Sequence, residues 1–311
     1  MNMLSYQVCR DIEIEKTPEF ITEFISNFKN WPDWSPWLIM ERNCTLTYNG
    51  DLGNIQSGYE WSGNLVGAGS MVLTSKSDTQ LEMSLTFLRP FKSSAIIKFK
   101  AEPTASGTRL SWVMESRVPW FLFFLKGMFK SMIGMDYDRG LLMLKSLVET
   151  GEVHSELTLV GNSMLPATHY IALENGAGIQ DMGPTMQGDI VKLDEFLAEQ
   201  NIESSGEMFA LYDRMDMATM HFDFHTCYPI SEPVNVPEPF ICGYLKASET
   251  YVVEHTGAYQ FLGNAWSMAM MAARHNKVKV TRKPMGIERY VDNPNNVEIT
   301  KLRTEIVLFK K

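Results

Sequence analysis

Two stretches in the second half of the chain are built to one plan. GEMFALYDRMDMATMHFDFHTCYPI (206–230) and GIERYVDNPNNVEITKLRTEIVLFKK (286–311) each read as a strand with a tyrosine near its end, a polar turn and a closing strand. Tyr212 aligns with Tyr290, and the aligned closing strands set His225 against Glu305. Upstream of each lies a helical segment, DIVKLDEFLAEQN with Ile190, Leu193 and Leu197, and QFLGNAWSMAMMAARHN with Leu262, Trp266 and Met270. Before those come the strand-like runs ATHYIALE and ETYVVEHTGAY. The half therefore reads as two copies of a βαββ unit, about 153–231 and 239–311, and a duplicated unit packs about a pseudo-two-fold axis.

Side chains alternate along an extended strand, so Leu302, Thr304, Ile306 and Leu308 share one face of the last strand while Arg303, Glu305, Val307 and Phe309 share the other. An acid inside an apolar run suits either a half-wet sheet face or a ligand cleft. In the other copy the corresponding face carries His221, Asp223, His225, Cys227 and Pro229. If the two polar faces converge at the axis they form a groove holding Glu305 and His225 among aromatic rings, with Tyr259 at its edge. His255, near a strand end, reads as a structural hydrogen-bonding residue, and Glu288 as exposed.

In the first half a helical opening, TPEFITEFISNFKNWPDW, repeats Phe20, Phe24 and Phe28 every four residues. Short strand-like runs follow, from NCTLTYNG to GTRLSWVMES, separated by Gly, Asn, Ser or Pro as in an antiparallel meander. The half closes on a helix whose stripe is Phe129, Ile133, Tyr137, Leu141, Leu144 and Val148, with a stop at Thr150-Gly151. The run PWFLFFLKGMFKSMIG (119–134) is broken by two lysines and falls short of the ~20 residues a bilayer needs, so it reads as a buried helix start or an apolar lid.

WPDWSPW, YEWSG, GAGSM, TFLRPF and GMDYDRGLLMLKSLVE occur here in an order that resembles the SRPBCC (START-like) helix-grip family, in its polyketide-cyclase-like branch. The resemblance covers about residues 4–150. It implies an α+β fold, a curved antiparallel sheet around a long C-terminal helix, with an apolar pocket between them. Trp34, Trp37, Tyr59, Trp61, Phe87, Trp112, Met128 and Met132 are the candidates for its wall. EHTGAY, GIERYVDNP and LRTEIVLFKK resemble the second repeat of the GyrI-like small-molecule-binding domain, the effector-binding domain of bacterial transcription activators, over about residues 153–311. The first repeat departs further, with GAGIQDMG where the HTGAY-like segment would recur. This second resemblance implies a ligand groove containing Glu305, Tyr290 and Trp266.

Composition narrows the rest. Among 311 residues, 45% are hydrophobic and 21% charged, ordinary values for folded domains, and the length suits two of them. Residues 1–150 carry 15 basic and 16 acidic side chains, residues 151–311 carry 13 and 21, so nearly all of the net charge of -9 lies in the second half. Such a surface repels phosphate backbones and attracts cations. Cys9, Cys44, Cys227 and Cys242 are far apart and suggest neither a zinc site nor a disulfide framework. No signal peptide or membrane span is expected, and the location expected is the cytoplasm.

The resulting expectation is a binder of lipophilic small molecules, hydrophobic or cationic, acting as sensor, sequestering protein or carrier. It has no cofactor or metal and no DNA-binding segment of its own, and a protein partner or a homodimer is compatible with it. The contact residues expected are Glu305, Tyr290, Trp266, Tyr259, Tyr212 and His225 in the second half and Trp34, Trp61, Phe87 and Trp112 in the first. The alternative is a hydrolase or cyclase with Glu305 as general base and Tyr290 or His225 orienting water.

Overall fold

The computed structural model describes residues 3–216 and 219–311 and divides into two compact units, Met1–Val153 and His154–Lys311. The quoted turn residues Met217 and Ala218 and the side chains of Leu122 and Leu125 lie outside the described residues.

The first unit is a seven-stranded antiparallel sheet ordered β1-β7-β6-β5-β4-β3-β2. Its strands are β1 (Met3–Ile14), β2 (Thr45–Asn49), β3 (Gly58–Ser62), β4 (Ala68–Lys76), β5 (Gln80–Arg89), β6 (Ser93–Thr104) and β7 (Gly107–Pro119). Two helices, α1 (Pro18–Ser26) and α2 (Lys126–Thr150), pack against it. Thr17 caps α1 by accepting from the Phe20 amide, which satisfies one of the otherwise unpaired first-turn donors. The buried face of α1 is Ile21 and Ile25, continued by Phe28 in the 3-10 turn that follows. Phe20 is exposed and stacks on Phe24, so the four-residue phenylalanine repeat is not the core stripe. In α2 the expected stripe is buried from Tyr137 onward and its first two turns lie at the surface.

That surface start overturns the reading of 119–134 as a buried helix start. Trp120, Phe121, Phe123 and Phe124 are all exposed, as are Met128 and Met132, which were expected in a pocket wall. The space between sheet and helix is filled instead by the rings of Trp31, Trp34, Phe99, Trp112 and Tyr137. Trp112 stacks on Tyr137 at 4.0 Å, and Trp31 and Trp34 lie 4.6 Å apart between centroids. Gly140 makes this approach possible: a Cβ there would stand 2.7 Å from the Trp112 ring and 3.0 Å from Pro36. Trp61 is buried edge-on to Phe87, and Trp37 lies half-buried edge-on to Trp112.

The second unit is an eight-stranded antiparallel sheet ordered β12-β9-β11-β10-β14-β15-β13-β8. The strands are β8 (Ser155–Leu165), β9 (Thr168–Gly178), β10 (Phe209–Asp216), β11 (His221–Ile230), β12 (Ile241–Leu245), β13 (Ser248–Gly257), β14 (Gly286–Tyr290) and β15 (Arg303–Phe309). Helix α3 (Met182–Glu199) follows β9, and α4 (Leu262–His275) follows β13. Beyond the elements expected from sequence, each half carries one more strand, β8, largely exposed, and β12, largely half-buried. β8 pairs with β13, and β12 with β9. One face of the sheet packs Ile171, Leu173 and Ile230 against Leu193, Phe196 and Leu197 of α3. The other gathers Tyr170, Phe209, Leu211, Val252, Ile287 and Val307 into a second apolar cluster.

Candidate functional site

The two central strands pair Ala210 with Glu288 and Tyr212 with Gly286. Paired residues project to the same side of a sheet, so Tyr212, Glu288 and Tyr290 all point toward the helices. Glu288 is 6% exposed, which overturns the expectation that it lies in solvent. Tyr212 Oη donates to Glu288 Oε2 at 3.0 Å, Tyr290 Oη donates to the same oxygen at 2.8 Å, and Trp266 Nε1 donates to Oε1 at 2.6 Å. Burial pushes the carboxyl upward from its ordinary range, and the bonds from Trp266, Tyr290 and Tyr212 oppose that shift. Among the described residues no cationic side chain pairs with it. The tyrosine hydroxyls are pushed up in turn, first by burial and then by the charge of Glu288.

The surroundings are aromatic and soft. The Tyr212 ring meets Trp266 edge-on at 5.3 Å, and Tyr259 meets Tyr290 edge-on at 5.5 Å. Met182, Met186, Met208 and Met285 pack in the same cluster, and Met186 Sδ lies 3.2 Å from Tyr290 Oη. Unbranched thioether chains repack at little cost, a property of surfaces that accept varied ligands. Tyr259, Trp266 and Tyr290 are half-buried, so the rings over the acid also reach the surface.

Of the residues expected from sequence, the structure brings Tyr212, Tyr259, Trp266 and Tyr290 together. It separates Glu305 and His225 from them. Glu305 pairs across the sheet with Arg289, whereas Tyr290 pairs with Thr304, so Glu305 projects to the opposite face. There the Arg289 guanidinium forms an ion pair with it. His225 Nε2 lies 3.7 Å from Asp213 Oδ2 on that same far face, alongside Cys227. A signal for Glu288 was present in GIERY, because an acid two residues before Tyr290 shares its face. His255 is fully buried with Nε2 3.1 Å from Ser155 Oγ, to which Asn264 also donates, consistent with a structural role.

No group of acidic, histidine or cysteine side chains with metal-holding geometry occurs among the described residues, and none of the described helices is long and apolar enough to cross a membrane.

Comparison with known families places both halves. A family model described as polyketide cyclase / dehydrase and lipid transport matches residues 6–149, and one described as a GyrI-like small molecule binding domain matches residues 163–308. No curated protein matches the chain. Similar solved structures include the C-terminal domain of EcmrR, 16% identical, covering 50% of this chain and 98% of that one with a TM-score of 0.39. A second is EcmrR in a DNA complex, 15% identical, covering 60% and 69% with a TM-score of 0.44. A third is MLL2253 from Mesorhizobium loti, 12% identical, covering 48% and 100% with a TM-score of 0.37.

Proposed function

For a chain that joins an SRPBCC-type domain to a GyrI-like small-molecule-binding domain, we propose that the second domain binds lipophilic cations at Glu288. The observation that carries this reading is a buried carboxylate held by three neutral donors and, among the described residues, by no cation of its own. An unpaired buried charge is costly, and a cationic ligand supplies the missing counter-charge. Ring faces of Tyr212, Tyr259, Trp266 and Tyr290 add about 0.5 to 2 kcal/mol for each cation–π contact made. Movement of the half-buried rings and the neighbouring methionines opens access to the acid. The chain acts as a sensor, sequestering protein or carrier of such molecules.

In this reading the second unit is a duplicated βαββ pair about a two-fold between β10 and β14. Ala210 stands where Glu288 stands in the other copy, and the two are directly opposed in the ladder. One acid therefore serves an almost symmetric site, which suits a single cation near the axis. Catalysis by Glu305 is the weaker reading, because Arg289 already occupies that carboxylate.

The test is thermal stabilisation of the full chain by tetraphenylphosphonium, compared with an uncharged aromatic of similar size. The cation is expected to stabilise the parent and Glu305→Gln but not Glu288→Gln. Equal stabilisation of Glu288→Gln and the parent would sink the assignment.

A further inference from the structure

We infer that one end of the N-terminal domain docks on an anionic lipid surface. The strand registers set Met3 opposite Pro119, Ser116 opposite Ala95 and Phe87 opposite Ser93. The start of β1, the β5–β6 turn and the exit of β7 therefore lie at the same end of the sheet. That end presents Phe91 at 73% exposure, Trp120 at 57%, Phe123 at 62% and Phe124 at 65%, with Met3 and Phe121 exposed beside them. Single exposed apolar side chains are ordinary, but a contiguous group of large rings marks an interaction surface.

The charge pattern selects the partner. From residue 116 to residue 135 the chain carries Arg117, Lys126 and Lys130 and no carboxylate, and from residue 83 to residue 101 it again carries none, while the β5–β6 turn adds Lys92. Among the described residues, the ion pairs of this domain engage other cations, such as Arg10, Lys76 and Lys98, and leave these four without a carboxylate partner. A basic, aromatic surface built from these acid-free segments, on a protein of net charge -9, complements lipid phosphates. A two-fold contact with a second copy would set these lysines against one another. Trp and Phe settle at the level of lipid headgroups while Lys and Arg pair with phosphate, and the segment is too short and too charged to cross the bilayer, so it lies in the interface plane.

The full chain is tested by flotation with vesicles of phosphatidylcholine and phosphatidylglycerol, 70:30, and with pure phosphatidylcholine. We expect flotation with the anionic vesicles only, weakened by salt. Phe123→Ser/Phe124→Ser is expected to lower partitioning by about tenfold or more, and Lys126→Glu/Lys130→Glu by roughly fivefold per lysine or more. All four side chains lie at the surface, and the thermal midpoint of each variant checks the fold; if the phenylalanine variant is unstable, the lysine variant decides. Absence of flotation with anionic vesicles overturns the proposal, as does flotation that neither variant weakens. It is also overturned if light scattering shows a dimer that Phe123→Ser/Phe124→Ser dissolves while vesicles fail to bind.

Discussion

Trp266 donates its indole N–H to Glu288 at 2.6 Å, and it can do so because the residue between the ring and the sheet is glycine. A Cβ on Gly286 would lie 3.0 Å from the Trp266 ring and 2.8 Å from the Val307 carbonyl oxygen. A missing side chain on β14 thus sets the position of an aromatic donor on α4.

Gly286→Ala is expected to push that ring off the strand. Overpacking of this kind costs about 1 to 3 kcal/mol, readable as a lowered midpoint in chemical denaturation. It should weaken tetraphenylphosphonium binding as well, since the donor and the ring move together.

Trp266→Phe keeps an aromatic but removes one of the three donors to a buried carboxylate. A hydrogen bond to a charged group contributes about 1.5 to 3 kcal/mol, so a loss within that range is expected in denaturant titration at neutral pH. In the double variant with Glu288→Gln the loss should shrink, because a neutral amide depends less on the indole N–H. Equal losses in both backgrounds would argue against coupling between the two groups.

The raised carboxyl of Glu288 gives two pH dependences of opposite sign. The folded domain prefers the protonated acid, so this group's contribution to stability is fully present below the unfolded value and declines as pH rises through the folded one. Cation binding needs the ionised form and is expected to fade as pH falls through that same folded value. Denaturant titration across the acid range checks the first and calorimetric titration of tetraphenylphosphonium the second, with Glu288→Gln as the reference lacking both transitions.

His255 behaves in the reverse sense. Burial pushes its imidazole down to about 4, so its stabilising contribution holds above the unfolded value of 6.5 and is lost as pH falls toward 4. The expected loss is about 3 kcal/mol, from ~1.36 kcal/mol for each pH unit of displacement. Urea titrations between pH 7 and pH 4 on the parent and on His255→Gln should show the steeper decline in the parent.

Much of this architecture was legible in the sequence for physical reasons. The two-residue periodicity marked the antiparallel strands of both units, and Tyr212 and Tyr290, matched in the sequence, prove to share one oxygen of Glu288. Glu305, the acid singled out in the sequence, lies on the opposite sheet face from Glu288. The closing strand drew the choice to Glu305 because an acid among Ile306, Val307 and Phe309 is conspicuous, whereas Glu288 stands beside Arg289 and looked solvated. Only the cross-strand register, Glu288 opposite Ile306 and Glu305 opposite Arg289, separates the two. The exposed rings of 120–124 were hidden for a different reason: composition alone gives an apolar run no indication of whether the fold covers it.

The strand exchange at the edges of the second sheet bears on how the chain is made. β8 is the first of that sheet's strands to leave the ribosome, yet it pairs with β13, which begins 83 positions after β8 ends. β12 closes the opposite rim on β9. Neither half can complete its hydrogen bonding during synthesis until the other has emerged, so the domain matures as a single late event, and a nascent chain arrested before residue 248 would carry an open, adhesive margin.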